Sequence, residues 1–275
     1  MSSVLVSPEE LRTLLSGTEC DIHLLDVRWA LGDPDGPEHY LEGHIPGAIF
    51  VDLETELAAP PSPLHGRHPL PSAAHLQKCA RSWGVRAGRP IVVYDATGAL
   101  AAARAWWLLR WAGLTEVRIL DGGLPAWLRS GGELVTGSEP DPSPGDVVCT
   151  AGNMPVVQAD DVAAWQGALL DARADERYRG LVEPVDPRAG HIPGAVSVPT
   201  SENLTAEGTF KTAEQLRERF SGLGQGPVAV YCGSGVTAAH QIAALSVAGR
   251  SAALYPGSWS QWSSDPERPV ATALD

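Results

Sequence analysis

Cysteine is scarce in this sequence and positive charge is in deficit, and each shortage excludes functions. Four cysteines, Cys20, Cys79, Cys149 and Cys232, lie far apart with no CxxC pair. The ligand spacing of a structural zinc site and the dithiol of a redox couple are therefore both missing. Free thiols in a reducing cytoplasm are the expectation. Twenty Lys and Arg stand against 33 Asp and Glu, for a net charge of −13 and a pI near 5.0. That balance excludes a protein that neutralises phosphates along nucleic acid. No apolar run is long enough to span a membrane. The opening segment MSSVLVSPEELRTLL has no basic start, so it is not expected to be a secretory signal. An acidic protein that handles an anionic substrate must supply positive charge locally, which directs attention to individual arginines.

What the sequence does contain is a duplication. Glu42 to Ala48 reads EGHIPGA and Ala189 to Ala195 reads AGHIPGA. Upstream of each copy an apolar run closes on an acid, HLLDVR at 23–28 and ALLDAR at 168–173. Downstream, IVVYD at 91–95 matches VAVYC at 228–232. Short β-branched runs of this kind read as buried parallel strands. Each is followed by a small-residue loop and then by a helical pattern ending at Gly113 or Gly249, both plausible helix stops. VRILDGGLPAW (117–127) and SAALYPGSWSQW (251–262) add a strand, a turn and a tryptophan to each copy. Trp127 and Trp262 read as packing anchors. Strands alternating with helices predict an α/β fold, two tandem domains each with a mainly parallel sheet covered by helices on both faces. The Pro-, Gly- and Ser-rich stretch around 137–146 reads as a linker. Domains over 1–136 and 155–275, joined by 137–154, follow.

The two copies differ where chemistry would be done. The first has Asp95 at the end of its strand, the second Cys232. In CGSGVT, Gly233 and Gly235 permit unusual backbone angles, and Ser234 and Thr237 add hydroxyl donors. The following helix presents its positive end. Such a loop would hold a thiolate, or the persulfide made from it, by several hydrogen bonds at once. A thiol phosphatase would need an arginine six residues after the cysteine to clamp phosphoryl oxygens, and that position is Ala238. His44 and His191 of the repeated motif have no second ligand at helical spacing, so local hydrogen bonding in a turn is expected of them rather than metal binding. Neither metal nor organic cofactor is called for.

The tandem GHIPGA elements, the CGSGVTA loop and the DGG...W ending resemble the two-domain rhodanese sulfurtransferases over nearly the whole chain. CGSGVT is similar to the loop of the 3-mercaptopyruvate type, and a neutral loop suits a monoanionic α-keto acid better than a dianion. The resemblance implies that Cys232 carries sulfur from a small anionic donor to a thiol acceptor such as thioredoxin. It implies Gly233, Gly235, Val236 and Thr237 as the donor's surroundings and Arg177, in ERYRG, as the arginine facing the donor's anionic group. A second family arginine follows an EP pair; here Val185 stands in that place, with Arg188 as the substitute. RHPLP (67–71) resembles the family's H-x-L-P segment, making His68 a proton relay to Ser234, with Glu54 as its acidic partner and Asp52 as the rival. Thiosulfate as donor, and a non-catalytic binding module, are the alternative readings.

Overall fold

In the computed structural model, which describes residues 3–17 and 22–272, the chain falls into two compact units. Cys20 lies outside the described residues. The first unit comprises Met1–Leu57, Pro71–Asn153 and Ala206–Phe210; the second comprises Ala58–Leu70, Met154–Thr205 and Lys211–Asp275. Two short segments are thus exchanged relative to sequence order. Residues 137–153 carry no helix or longer strand and pack within the first unit, where Gly145 N–H donates to Arg81 O and Asp146 N–H to Val85 O.

The first unit has strands β1 (Leu5–Val6), β2 (His23–Asp26), β3 (Ala48–Phe50), β4 (Ile91–Tyr94) and β5 (Val117–Leu120). Its helices are α1 (Pro8–Leu15), α2 (Gly36–Glu42), α3 (Leu53–Glu56), α4 (Ala73–Ser82), α5 (Ala102–Trp111) and α6 (Gly123–Arg129). The sheet is parallel throughout, in the order β1-β5-β4-β2-β3. The second unit has β6 (Ala168–Asp171), β7 (Val196–Ser197), β8 (Val228–Tyr231) and β9 (Ala253–Leu254), parallel in the order β7-β6-β8-β9. Its helices are α7 (Ala159–Ala163), α8 (Asp175–Tyr178), α9 (Ala213–Arg219), α10 (Val236–Val247) and α11 (Ser258–Ser264). The α/β class expected from the alternating pattern is what the chain adopts.

The repeated sequence motifs become repeated contacts. Asp26 registers with Tyr94, and Asp171 with Tyr231. Each aspartate takes an arginine two residues on, Arg28 at 2.7 Å and Arg173 at 2.6 Å. Each tyrosine hydroxyl accepts the N–H of the motif isoleucine, Ile45 at 3.1 Å and Ile192 at 3.2 Å. The motif histidines stack on a tyrosine, His44 on Tyr40 and His191 on Tyr178, and each Nδ1 bonds a backbone carbonyl. The strands β4 and β8 are buried along their whole length, which is why they read as continuous apolar runs rather than alternating ones. Trp127 and Trp262 are buried in their respective cores.

In the first unit the loop after β4 closes on itself. Asp95 is fully buried, and its carboxylate accepts the N–H groups of Thr97, Ala99, Ala101 and Ala102 at 2.8–3.0 Å. Burial pushes this carboxyl above the usual carboxylate range, with the four N–H bonds pulling the other way. Asp95→Ala would orphan those donors and is expected to cost about 2–3 kcal/mol, read as a lower urea midpoint of the whole chain. An unchanged midpoint would show that the carboxylate holds nothing together.

Candidate active site

The second unit places the corresponding loop differently. Strand β8 delivers Cys232 to its carboxyl end, where sites of parallel sheets are built. The thiol is 1% exposed. Its Sγ accepts the Gly235 N–H at 3.1 Å, and α10 begins at the next residue, so the sulfur sits at the positive end of a twelve-residue helix. Gly235 has φ +84, and a Cβ there would lie 2.7 Å from Pro256 O. Only glycine meets both demands.

The first turn of α11, which follows β9, clamps the main chain of this loop. Ser258 Oγ accepts the Cys232 N–H at 3.2 Å and donates to Tyr255 O at 2.9 Å. Trp259 N–H and Ser260 N–H donate to Cys232 O and Gly233 O at 2.9 and 2.8 Å. Ser258 is buried with φ +52, a conformation that costs a non-glycine residue about 1–3 kcal/mol. The strain is borne where the loop must be held in place.

Residues 58–70 bring two further side chains to this unit. His68 Nδ1 lies 2.7 Å from Ser234 Oγ, and both residues are buried. Arg67 is anchored through its N–H to Ser260 Oγ at 3.1 Å, and its Nη1 pairs with Asp186. Arg177 Nη2 binds Glu183 at 2.6 Å and Asp186 at 3.2 Å. Both guanidinia reach the backbone beside the thiol. A Cβ on Gly233 would sit 3.1 Å from Arg67 Nη2 and 3.5 Å from Arg177 Nη1, so a larger residue would occupy the space they enclose. Burial pushes the Asp186 carboxyl above its ordinary range; the Arg67 cation opposes this and Glu183 adds to it. Behind the quartet, Arg173 ties Asp171 to Glu183 and lies over the Trp259 ring at 4.6 Å.

The sequence-predicted residues are thus distributed as follows. Cys232, Gly233, Ser234, Gly235, His68 and Arg177 converge in the second unit, with Val236 buried and Thr237 half-buried in the first turn of α10. Arg188 is a correction. All three of its guanidinium nitrogens donate to carbonyls, of Ser263, Arg268, Trp262 and Asp265, so this side chain ties down the C-terminal segment and has no fork left for a donor. Glu54 belongs to the first unit, where it accepts the Trp29 Nε1–H at 2.7 Å. Its rival Asp52 is committed to capping α3, taking Glu54 N–H and Thr55 Oγ1 at 2.9 Å. Arg67, Glu183, Asp186, Ser258 and Ser260 escaped the sequence reading. The deficit of positive charge was the available signal for Arg67. Among the described residues no cluster of His, Cys, Asp and Glu is arranged to hold a metal ion, and no helix is long and apolar enough to cross a membrane.

Comparison with known proteins agrees with this geometry. The model of the rhodanese-like domain matches twice, over residues 7–130 and 157–265. SseB of Mycobacterium tuberculosis, whose name is that of a thiosulfate sulfurtransferase, is 49% identical over 97% of this chain and 96% of its own length. A Pseudomonas aeruginosa protein named for 3-mercaptopyruvate sulfurtransferase activity is 47% identical over 98% and 99%. The crystal structure of SseA from Escherichia coli, described as a 3-mercaptopyruvate enzyme with the rhodanese fold, superposes with a TM-score of 0.81 at 35% identity, covering 94% of this chain and 99% of that one. With both halves matched and relatives spanning nearly its full length, the chain belongs to the rhodanese family and carries two rhodanese-like domains in tandem.

Proposed function

We propose that this protein is a sulfurtransferase that moves sulfur from 3-mercaptopyruvate, through a persulfide on Cys232, to a thiol acceptor. The observation that carries the reading is the convergence on one loop of a thiol under a backbone N–H, a His–Ser pair and two guanidinia. The first half-reaction balances as a thiol and HS–CH2–CO–COO⁻ giving the Cys232 persulfide and pyruvate. The Cys232 sulfur attacks the donor sulfur, the donor C–S bond breaks, and the electron pair leaves on carbon as the pyruvate enolate. The Ser234 hydroxyl and His68 relay a proton to that enolate. Arg177 orients the donor carboxylate, and the loop glycines Gly233 and Gly235, with Val236 and Thr237, shape its surroundings. In the second half-reaction a dithiol such as reduced thioredoxin takes the outer sulfur as hydrogen sulfide and becomes a disulfide; cyanide takes it as thiocyanate. The three described cysteines are free thiols, in keeping with a cytoplasmic setting.

Charge favours the α-keto acid. Arg67 and Arg177 are matched by two carboxylates, Glu183 and Asp186, so the quartet has no formal surplus for a dianion. Thiosulfate is the second reading, supported by the name of the mycobacterial relative. Steady-state turnover on the two donors side by side separates them. The expected result is a higher kcat/KM on 3-mercaptopyruvate, and a gain of one sulfur atom on the Cys232 peptide by mass spectrometry. No adduct from either donor would overturn the function itself and leave a binding module.

A further inference from the structure

The two units differ at a second position, one that faces the nucleophile slot. Counting back from the buried tryptophans Trp127 and Trp262, Gly123 of the first unit corresponds to Ser258 of the second. Both open the helix after their strand, and both hold left-handed backbone, with φ +57 and +52. The residue that follows each makes the same bond, Leu124 N–H to Asp95 O at 2.8 Å and Trp259 N–H to Cys232 O at 2.9 Å. Glycine is the residue this conformation favours, and the first unit has it. A Cβ on Gly123 would lie 2.3 Å from Asp95 O, so the first loop closes over the space that Ser258 fills in the second. The unit with the thiol keeps a strained serine where its copy has a relaxed glycine, and what the strain preserves is a hydroxyl. That hydroxyl is committed at both ends. Its proton goes to Tyr255 O at 2.9 Å, so toward Cys232 it can only accept, and it takes the Cys232 N–H at 3.2 Å.

We propose that Ser258 is a positioning residue for sulfur transfer: its hydroxyl holds the Cys232 N–H and so fixes the direction in which the Cα–Cβ bond carries Sγ toward the Gly235 N–H. The inference rests on the sulfurtransferase reading above. With its N–H held by Ser258 and its carbonyl by Trp259, Cys232 is pinned at both polar groups of its main chain, and Sγ stands 3.1 Å from Gly235 N. Ser258 touches neither donor nor acceptor. It acts through the nucleophile in both half-reactions, because the same Sγ attacks the donor sulfur in the first and parts from the outer sulfur in the second. Asp95, in the equivalent slot, holds its loop by its own carboxylate and needs no such hydroxyl, which accounts for the glycine in the first unit.

The test removes the hydroxyl from the full chain in two ways. Ser258→Gly relieves the strain and copies the first unit, whereas Ser258→Ala keeps the Cβ and the strain. Both are expected to lower kcat on 3-mercaptopyruvate about 10- to 100-fold, the scale of a misplaced reacting group, with KM and the inhibition constant of pyruvate at the parent's values. Single-turnover formation of the persulfide and its discharge by cyanide both slow, whereas loss of a proton carrier slows only the first. The variants differ in stability, glycine having the higher urea midpoint, so equal losses of kcat tie the effect to the hydroxyl and not to the fold. Hydrogen exchange reads the bond without any donor. The Cys232 N–H exchanges about tenfold faster in both variants, while the Trp259 and Ser260 N–H groups, bonded to Cys232 O and Gly233 O, keep the parent's protection. A parent-like kcat in either variant overturns the inference. So does a kcat that falls in step with the urea midpoint while Trp259 and Ser260 lose protection, which would make Ser258 a general staple of the fold. Should Ser258→Ala not fold, Ser258→Gly decides alone by the same kcat, KM and exchange readouts. Parent protein that forms no Cys232 persulfide from 3-mercaptopyruvate sinks the sulfurtransferase reading instead, a different failure from variants that form it at the parent's rate.

Discussion

Cys232→Ser should lose turnover by on the order of 10⁴-fold or more, the scale seen when a covalent nucleophile is removed, with no sulfur adduct anywhere on the chain. The substitution is nearly isosteric, and a serine Oγ can still accept the Gly235 N–H that now bonds sulfur at 3.1 Å, so the fold should survive. Neither of the other described thiols can take over. Burial, reinforced by the nearby Glu56 carboxylate, pushes the Cys79 thiol up to about 11. Burial also raises Cys149, with Arg81 opposing it. Both therefore stay protonated near neutral pH, and the thiolate is the attacking species. Cys79→Ser is the matched control and should turn over at the parent rate. Substantial activity in Cys232→Ser would mean that the sulfur never passes through this residue.

His68→Ala carries the second largest expected effect, a fall in kcat of about 10²- to 10³-fold for loss of a positioned proton carrier. His68 and Ser234 are both buried and 2.7 Å apart, so they share a hydrogen and should act as one unit. Ser234→Ala should fall by a similar factor, and the double variant by little more than either alone, the non-additivity expected of groups in one relay. Single-turnover formation of pyruvate should slow in step with kcat, while discharge of a preformed persulfide by cyanide, which needs no enolate proton, should not. Fully additive losses would show two independent residues and no relay. A kcat equal to the parent's in His68→Ala would remove the proton role altogether.

The duplication was the most legible property of the sequence, because its consequences are local. IVVY and VAVY are β-branched runs whose burial needs only a neighbouring strand on each side, and the LLDxR and GHIPGA elements keep their spacing because Asp, Arg, Tyr and the motif isoleucine contact one another identically in both units. The cysteine loop was legible for the same reason, strand, glycines and helix being contiguous. The side chains around Gly233 were not. Arg67, Arg177 and Asp186 come from separate stretches with no shared period, and only the folded chain shows that residues 58–70 belong to the second unit. Arg188 was misread because an arginine near a motif looks the same in sequence whether its fork meets a donor or four carbonyls. Asp95 was seen as the absence of a nucleophile, whereas the structure shows a carboxylate occupying the loop's own N–H groups.

That carboxylate sets the two halves apart under oxidative stress. A sulfur held under one backbone N–H, as Cys232 Sγ is under that of Gly235, can be driven by peroxide to sulfenic acid and, past it, to forms that are not restored. An aspartate on the equivalent loop offers peroxide nothing to attack. The Asp95 loop therefore keeps its shape in conditions that disable the Cys232 loop, and oxidative loss of activity should leave a molecule with one intact folded loop, its anion covalently its own, beside one chemically spent.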